Sequence, residues 1–191
     1  MADYYDINHI LMEEEPVSVV FRVGANGAGL LDPGSENNNV EAGAKVELPF
    51  WLAQDLCTRE AVSINNPTFY NHRIRKEMQA DPACVNLRSR CPYFYELGCK
   101  LAPLVSDRSL GSFLLYTLRG RFKDILCKAH SIAFSATSKF LQLLTREESQ
   151  LFDAAYTSMK AFKKWRLEGP RLEKASVLGR KRRREESLHA P

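Results

Sequence analysis

The chain has 191 residues, of which 45% are hydrophobic and 26% charged, with a formal net charge of +4 at pH 7. This composition is that of a globular protein with a core, and Arg or Lys interrupts every apolar run short of the roughly 18 residues that a membrane span needs. The acidic first residues do not fit a signal peptide, so we expect an intracellular protein.

The net charge is unevenly distributed along the chain. Residues 1–60 hold eleven acidic and three basic side chains, whereas residues 61–170 hold nine acidic and 17 basic ones. An acidic first third and a basic remainder favour charge-complementary docking, within the chain or onto partners. The basic side chains are spread over predicted helices rather than gathered with aromatics, which is not the pattern of a nucleic-acid-binding module.

Residues 1–66 predict a small strand-rich domain. Short apolar-periodic or alternating segments are separated by Pro, Gly and Asn, which end helices and strands. The predicted elements are a helix at 4–15, a strand at 16–23, a turn at 24–29, a short strand at 30–31, a loop at 35–39, a strand at 45–48, a helix at 50–57 and a closing strand at 61–64.

Residues 67–169 predict a helical domain built like a bundle, so the fold class is mostly α with a small N-terminal α+β part. The predicted helices span 67–80, 88–104 and 109–144, the last being one helix or two with an interruption near 130–138. Thr145 and Glu148 have the spacing of a capping box, in which a hydroxyl and a carboxylate bond each other's backbone N–H groups. We expect it to begin a final helix that runs to about residue 168.

Residues 170–191 predict a disordered basic tail, because they hold few apolar groups. Their basic run is the candidate nuclear localisation signal, and it could also contact DNA phosphates or only add solubility. The candidate residues are Arg180, Lys181, Arg182, Arg183 and Arg184. We therefore expect a nuclear protein whose contact with DNA is weak or indirect.

No group of residues predicts catalysis. The glycines at 24–29 follow a strand but do not lead into a helix, which a phosphate-binding turn requires. His9, His72 and His130 are isolated, and five cysteines without a Cys-x-x-Cys pair predict reduced thiols. We expect no enzyme, no cofactor and no metal site. The acidic run at 13–15 opposes the helix dipole, which hints that a basic surface faces it.

Several segments resemble one known family. Residues 45–53, Lys-Val-Glu-Leu-Pro-Phe-Trp-Leu-Ala, are similar to the Lys-x-Glu-Leu-Pro-x-Trp-Leu-Ala signature of the GINS subunit called "partner of Sld five, three". The opening at 4–15, the pair Asp81-Pro82, the segment Pro-Tyr-Phe-Tyr-Glu-Leu-Gly at 92–98 and Gly-Arg-Phe at 120–122 resemble the same subunit.

This resemblance implies a non-catalytic, structural subunit of a hetero-tetramer of four related GINS subunits. It implies that the tetramer joins Cdc forty-five to the Mcm ring, completing the replicative helicase, and contacts polymerase epsilon. The implied fold is a helical domain with a small strand-rich domain, the small one coming first in this subunit.

The residues themselves also predict a partner. Apolar side chains lie nearly all round the segment 109–129, and a helix that is apolar on more than one face buries the second face against another molecule. We also expect Trp51 to anchor its short helix against the sheet. The packing and interface candidates are Trp51, Leu52, Phe94, Leu114, Leu118, Phe122, Phe152, Met159 and Phe162.

Two other classes of function stay open. A stand-alone nuclear DNA-binding protein would use the basic helices and tail, and the purified chain would then bind DNA with a steep dependence on salt. A small enzyme with a site between the two domains is the other, although no residue of the sequence indicates such a site.

Overall fold

A computed structural model describes residues 5–31, 39–131 and 140–168. The prediction of a mostly α-helical chain with a small strand-rich N-terminal part is confirmed. The elements are α1 Ile7–Glu13, β1 Pro16–Phe21, β2 Ala25–Asn26, β3 Asn39–Val40, β4 Lys45–Pro49, α2 Phe50–Thr58, β5 Val62–Ile64, α3 His72–Ala80, α4 Phe94–Leu101, α5 Leu110–Ser131 and α6 Arg146–Glu168. Two 3-10 turns, Gly29–Leu31 and Thr68–Tyr70, lie between them.

The sheet is centred on β1, which pairs antiparallel with β4 on one side and β5 on the other. Alternation decides which face is buried, because successive strand side chains point to opposite sides. Val17, Val19 and Phe21 of β1 are buried, and Val19 lies opposite Val46 of β4 and Ile64 of β5. The predicted strands at 16–23, 45–48 and 61–64 are therefore present, with the last one closing the sheet.

The short strand predicted at 30–31 is wrong. These leucines belong to the 3-10 turn Gly29–Leu31, in which the Leu31 N–H donates to the Ala28 carbonyl at 2.9 Å. The second small ladder instead joins β2 to β3, with Ala25 opposite Val40. Residues 32–38, and with them most of the loop predicted at 35–39, lie outside the described residues.

The single helix predicted at 67–80 is also wrong. A 3-10 turn at Thr68–Tyr70 comes first, and α3 starts only after Asn71, whose backbone is extended. The Asn71 side chain accepts the N–H of Ile74 at 3.0 Å. A side-chain cap of this kind satisfies a free N–H at a new helix start, so it favours a break over a continuous helix.

The helix predicted at 88–104 is much shorter in the structure, because α4 covers Phe94–Leu101. Pro92 lies before its start, and Pro103 lies two residues after its end. A proline cannot donate to the carbonyl four residues earlier and disfavours helical geometry in the residue before it. Gly98 lies inside α4, and a Cβ there would come within 2.7 Å of Leu114 Cδ1, so this glycine lets α4 approach α5 closely.

The longest helices, α5 and α6, pack on each other. Ile125 and Ala129 of α5 form a buried cluster with Leu144 and Phe152. The capping box at the start of α6 is confirmed: the Glu148 N–H donates to Thr145 Oγ1 at 3.3 Å, and the Thr145 N–H donates to Glu148 Oε2 at 3.2 Å. Since α5 ends at Ser131, most of the interruption predicted near 130–138 lies outside the described residues.

One larger core joins the sheet to the helices. It runs from Val19 and Phe50 through Tyr70 and Phe94 to Leu114. The Tyr70 hydroxyl donates to the Phe94 carbonyl at 2.5 Å inside this core. Every strand of the described residues lies before position 65, as expected if the strand-rich part ends at residue 66 and the helical part begins at residue 67. The division into two domains stays a prediction. Among the described residues, no helix is long and apolar enough to cross a membrane.

Candidate interaction surfaces on the helices

The face of α5 that packs inside the chain is set by helical spacing. Leu110, Leu114, Thr117, Arg121 and Ile125 recur at intervals of three or four residues and are all buried. Side chains at this spacing share one face of a helix. This stripe accounts for the packing of α5 against α4 and α6.

A second apolar stripe on α5 faces outwards. Leu115, Leu118 and Phe122 lie at i, i+3 and i+7, and each is exposed, Leu118 by 36% and Phe122 by 42%. Helical geometry places this stripe about a quarter to a third of a turn of rotation from the buried one. The prediction that α5 is apolar on more than one face is therefore confirmed for this chain, and nothing in the described residues covers the second face.

The apolar flank of α6 changes character along the helix. Phe152 is buried and Met159 is half-buried, but Phe162 and Trp165 are exposed, the latter by 67%. The two rings lie 5.7 Å apart between centroids. Basic side chains surround them on the last turns, at Lys160, Lys163, Lys164 and Arg166. The second half of α6 thus presents aromatic rings among positive charges.

A buried ion pair fixes how α5 and α6 are held together. Arg121 Nε lies 2.6 Å from Glu148 Oε1, and Arg121 Nη2 lies 2.9 Å from Glu148 Oε2. The remaining guanidinium N–H groups donate to the carbonyls of Pro82, Val85 and Leu143. A buried charge is tolerated when it is paired and its hydrogen bonds are satisfied, and both conditions hold here.

The start of α6 also holds α4. The Tyr95 hydroxyl donates to Glu148 Oε1 at 2.8 Å, and burial raises the pKa of this tyrosine, so it stays a neutral donor. Glu147 Oε1 accepts the N–H groups of Tyr95 and Glu96, each at 3.0 Å. Tyr93, at the N-cap of α4, makes no side-chain cap bond, so Glu147 supplies that function from a distant part of the chain.

Sequence reasoning missed this polar cluster. One signal was available: Arg121 lies at a core position, four residues after Thr117 and four before Ile125. A charged residue on the apolar stripe of a helix indicates a buried partner, because an unpaired buried charge is too costly. Its partner Glu148 was predicted only as part of the capping box.

The predicted role of Trp51 is wrong. Trp51 is 48% exposed, while Phe50 and Ala53 are the buried residues of α2. Adjacent residues of an α-helix point about 100° apart, so the packing that buries Phe50 turns Trp51 outwards. Leu52 is half-buried and packs against the large core, to which Leu56 also contributes.

The remaining packing candidates fall into two groups. Phe94, Leu114 and Phe152 are buried within the chain, whereas Leu118 and Phe122 are exposed, as is Phe162 on α6. Whether any of them contacts another subunit stays a prediction. The candidate localisation residues at 180–184 lie outside the described residues.

A basic group does face the acidic run at 13–15. Lys100 of α4 donates to Glu13 Oε1 at 3.1 Å, and its Nζ lies 2.7 Å from His9 Nε2. This contact ties the inner face of α1 to α4. Within the described residues, no group of three or more His, Cys, Asp or Glu side chains is arranged to hold a metal ion, and the five cysteines are free thiols.

The fold is that of a known class of helical-bundle protein. Residues 69–167 match the family model described as the GINS complex protein helical bundle domain, and residues 5–58 match the one described as the PSF3 N-terminal domain. The chain belongs to the family of GINS complex proteins. The resemblance to the subunit type "partner of Sld five, three" is thereby confirmed.

Relatives share most of this chain. A protein of Phaeosphaeria nodorum named DNA replication complex GINS protein PSF3 is 32% identical over 173 residues, which are 86% of this chain and 96% of the relative. A Schizosaccharomyces pombe protein of the same name is 32% identical over 165 residues, covering 85% and 96%. The chain spans only 61% of a Dictyostelium discoideum relative, the probable GINS protein PSF3, with 33% identity.

Proposed function

We propose that this chain is a non-catalytic structural subunit of a hetero-tetrameric GINS complex in the nucleus. Three related subunits complete the tetramer, and the assembly holds the Mcm ring and Cdc forty-five in one orientation and contacts polymerase epsilon. Family membership and the names of the relatives support a role in DNA replication. The scaffolding role rests on the surfaces of the helices.

The outward stripe of α5 carries the proposal. A helix already packed on one face exposes Leu115, Leu118 and Phe122 on another, and large apolar side chains repeated along an exposed face are typical of permanent subunit interfaces. The aromatic end of α6 adds Phe162 and Trp165. The ion pair of Arg121 with Glu148 keeps the two helices in a fixed relation, so a partner meets a preformed surface.

Co-expression tests the proposal. The chain should be poorly soluble alone and should co-purify in equal amount with its three sister subunits. Leu118→Asp combined with Phe122→Asp should abolish or strongly reduce co-purification, because two charges would be buried at the interface. Lys123→Asp is the matched control, since Lys123 is exposed on the same helix away from the stripe, and it should assemble normally. Equal assembly of both variants, or a well-folded monomer, would contradict the interface.

The candidate nuclear localisation signal at 180–184 is a separate part of the proposal. Deleting residues 179–191 should leave the tetramer intact and reduce nuclear accumulation of a fluorescent fusion, because the deleted segment holds the basic run but few apolar groups. A fusion of the reversed-charge segment, with Glu at 180–184, is the control for tail length. Loss of assembly on deletion would show that the tail belongs to an interface.

A further inference from the structure

The outer face of α1 carries apolar side chains that stay exposed in the described part of the chain. Ile7, Ile10 and Leu11 lie at i, i+3 and i+4, and all three are exposed, Ile7 by 70%. The inner face already holds the helix: Met12 is fully buried, and Glu13 bonds Lys100. The exposed side chains are therefore not needed to fix α1 in place.

Trp51 is an exposed apolar side chain of α2, the helix that adjoins α1. The two helices contact each other, and the Phe50 N–H donates to the Glu15 carbonyl at 3.0 Å, so the end of α1 adjoins the first turn of α2. Phe50 is the buried side chain there and Trp51 the exposed one. We call the exposed side chains of Ile7, Ile10, Leu11 and Trp51 the α1–α2 surface.

Acidic side chains border this surface. Asp6 and Glu14 are exposed at the two ends of α1, and Asp55 is exposed on α2, where Arg59 pairs with it at 3.0 Å. Residues 5–31 and 39–60 hold eight acidic and three basic side chains, a net charge of −5. The apolar centre thus lies in a negative field, which attracts basic and repels acidic partners.

We propose that the α1–α2 surface docks a basic amphipathic helix of another protein. The apolar side chains would receive Leu- or Ile-like anchors at helical spacing, and Asp6, Glu14 and Asp55 would pair with Lys or Arg beside them. Charge disfavours three other occupants. The same surface of a second copy would bring an identical acidic border against this one, and nucleic acid or an anionic membrane would be repelled. Charge complementarity therefore selects the partner.

A designed peptide serves as the probe. It is a fluorescein-labelled helix of about five turns, with Leu at i, i+3, i+4 and i+7 and Lys elsewhere. Its counterpart carries Glu in place of Lys. Fluorescence anisotropy is measured with the full chain, both alone where soluble and within the purified complex. The basic peptide should bind saturably at one site, and the acidic peptide should not bind.

Variants locate the site. Ile10→Ser with Trp51→Ser should weaken binding about tenfold or more, because apolar anchors at the centre of an interface carry most of the affinity. Asp6→Lys with Glu14→Lys should also weaken peptide binding. The loss of affinity should be larger at low salt than at high salt, because salt screens the charges. Leu30→Ser is the matched control, since Leu30 is an apolar side chain of the same region with 96% exposure outside the surface. It should leave the affinity unchanged.

Five results would overturn the proposal. Equal affinity for the acidic and the basic peptide would mean that the attraction is non-specific. The same conclusion would follow if Ile10→Ser with Trp51→Ser left the affinity for the basic peptide unchanged. Binding to the chain alone but not to the complex would mean that a sister subunit covers the surface. A dimer that Trp51→Ser converts to a monomer would mean that a second copy covers it. Absence of saturable binding in every form would mean that no such site exists.

Discussion

Arg121 of α5 and Glu148 of α6 form an ion pair that is almost completely inaccessible to solvent, with 2.6 Å between Arg121 Nε and Glu148 Oε1. The carboxylate of Glu148 also accepts the Tyr95 hydroxyl and the Thr145 N–H. The one carboxylate of Glu148 therefore takes part in three interactions: the cap of α6, the ion pair between α5 and α6, and the hydrogen bond from Tyr95. The relative position of α4, α5 and α6 depends on it.

The first prediction concerns this pair. Arg121→Ala should destabilise the contact of α5 with α6 by about 3–5 kcal/mol, because it leaves Glu148 buried and unpaired. Arg121→Met with Glu148→Met should cost less than either single removal of charge, since no uncompensated charge remains. Hydrogen exchange of peptides from α5 and α6 in the purified complex measures the loss. Faster exchange in the double variant than in Arg121→Ala would contradict this prediction. It would mean that the ion pair itself stabilises the fold, beyond avoiding an unpaired buried charge.

The second prediction concerns the cap that Glu147 provides for α4. Glu147→Ala should cost about 1 kcal/mol, the usual loss when a helix N-cap is removed, whereas Glu147→Gln should retain most of the cap through its amide oxygen. Hydrogen exchange at the first turn of α4 is the measurement. Equal protection in the wild type and Glu147→Ala would show that the cap adds nothing to stability.

The third prediction concerns two helical glycines with opposite surroundings. Gly98→Ala should destabilise by about 1–3 kcal/mol, because its Cβ would lie 2.7 Å from Leu114 Cδ1 and from the Tyr70 hydroxyl. Gly111→Ala should stabilise by about 0.5–1 kcal/mol, since nothing lies within 4 Å of its Cβ and alanine favours the helix. Thermal unfolding of the purified complex compares the two. A gain in melting temperature with Gly98→Ala would contradict the close approach.

The fourth prediction concerns thiol reactivity. Burial raises the pKa of Cys91 to about 12, so Cys91 should resist alkylation in the native protein. A hydrogen bond with Asp81, followed by its negative charge, raises the pKa of the exposed Cys84. A raised pKa leaves less thiolate at a given pH, so Asp81→Asn should speed alkylation of Cys84 at pH 8. The exposed Cys127 should react at an unchanged rate. Mass spectrometry after timed iodoacetamide treatment measures each site.

The fifth prediction separates Phe50 from Trp51. Phe50→Ala should cost about 3–5 kcal/mol because its ring is fully buried in the core. Trp51→Ala should cost much less than that, since about half of this residue is already exposed to solvent in the folded chain. Thermal unfolding of the purified complex measures both. A comparable loss for the two variants would restore the anchoring role predicted for Trp51 from the sequence.

The sequence by itself determined part of the local structure, where contacts between neighbouring residues leave a clear pattern. Alternation and β-branched residues identified β1 and β4, and the spacing of Thr145 and Glu148 located the start of α6 correctly. These features depend on contacts within a few residues, which a linear pattern records. The motif around residues 45–53 also identified the family.

Only the tertiary structure decided which face of each element is covered. Trp51 and Phe50 are adjacent aromatic residues of one helix, and the packing of α2 on the sheet buries Phe50 alone. Likewise, α4 could be held by Glu147 only after the chain had brought α6 beside it, 52 positions later in sequence. Periodicity gives the set of apolar faces, but it does not say what lies opposite each one. That depends on side chains distant in sequence, because helix caps, ion pairs and cores form between whichever groups the fold brings together.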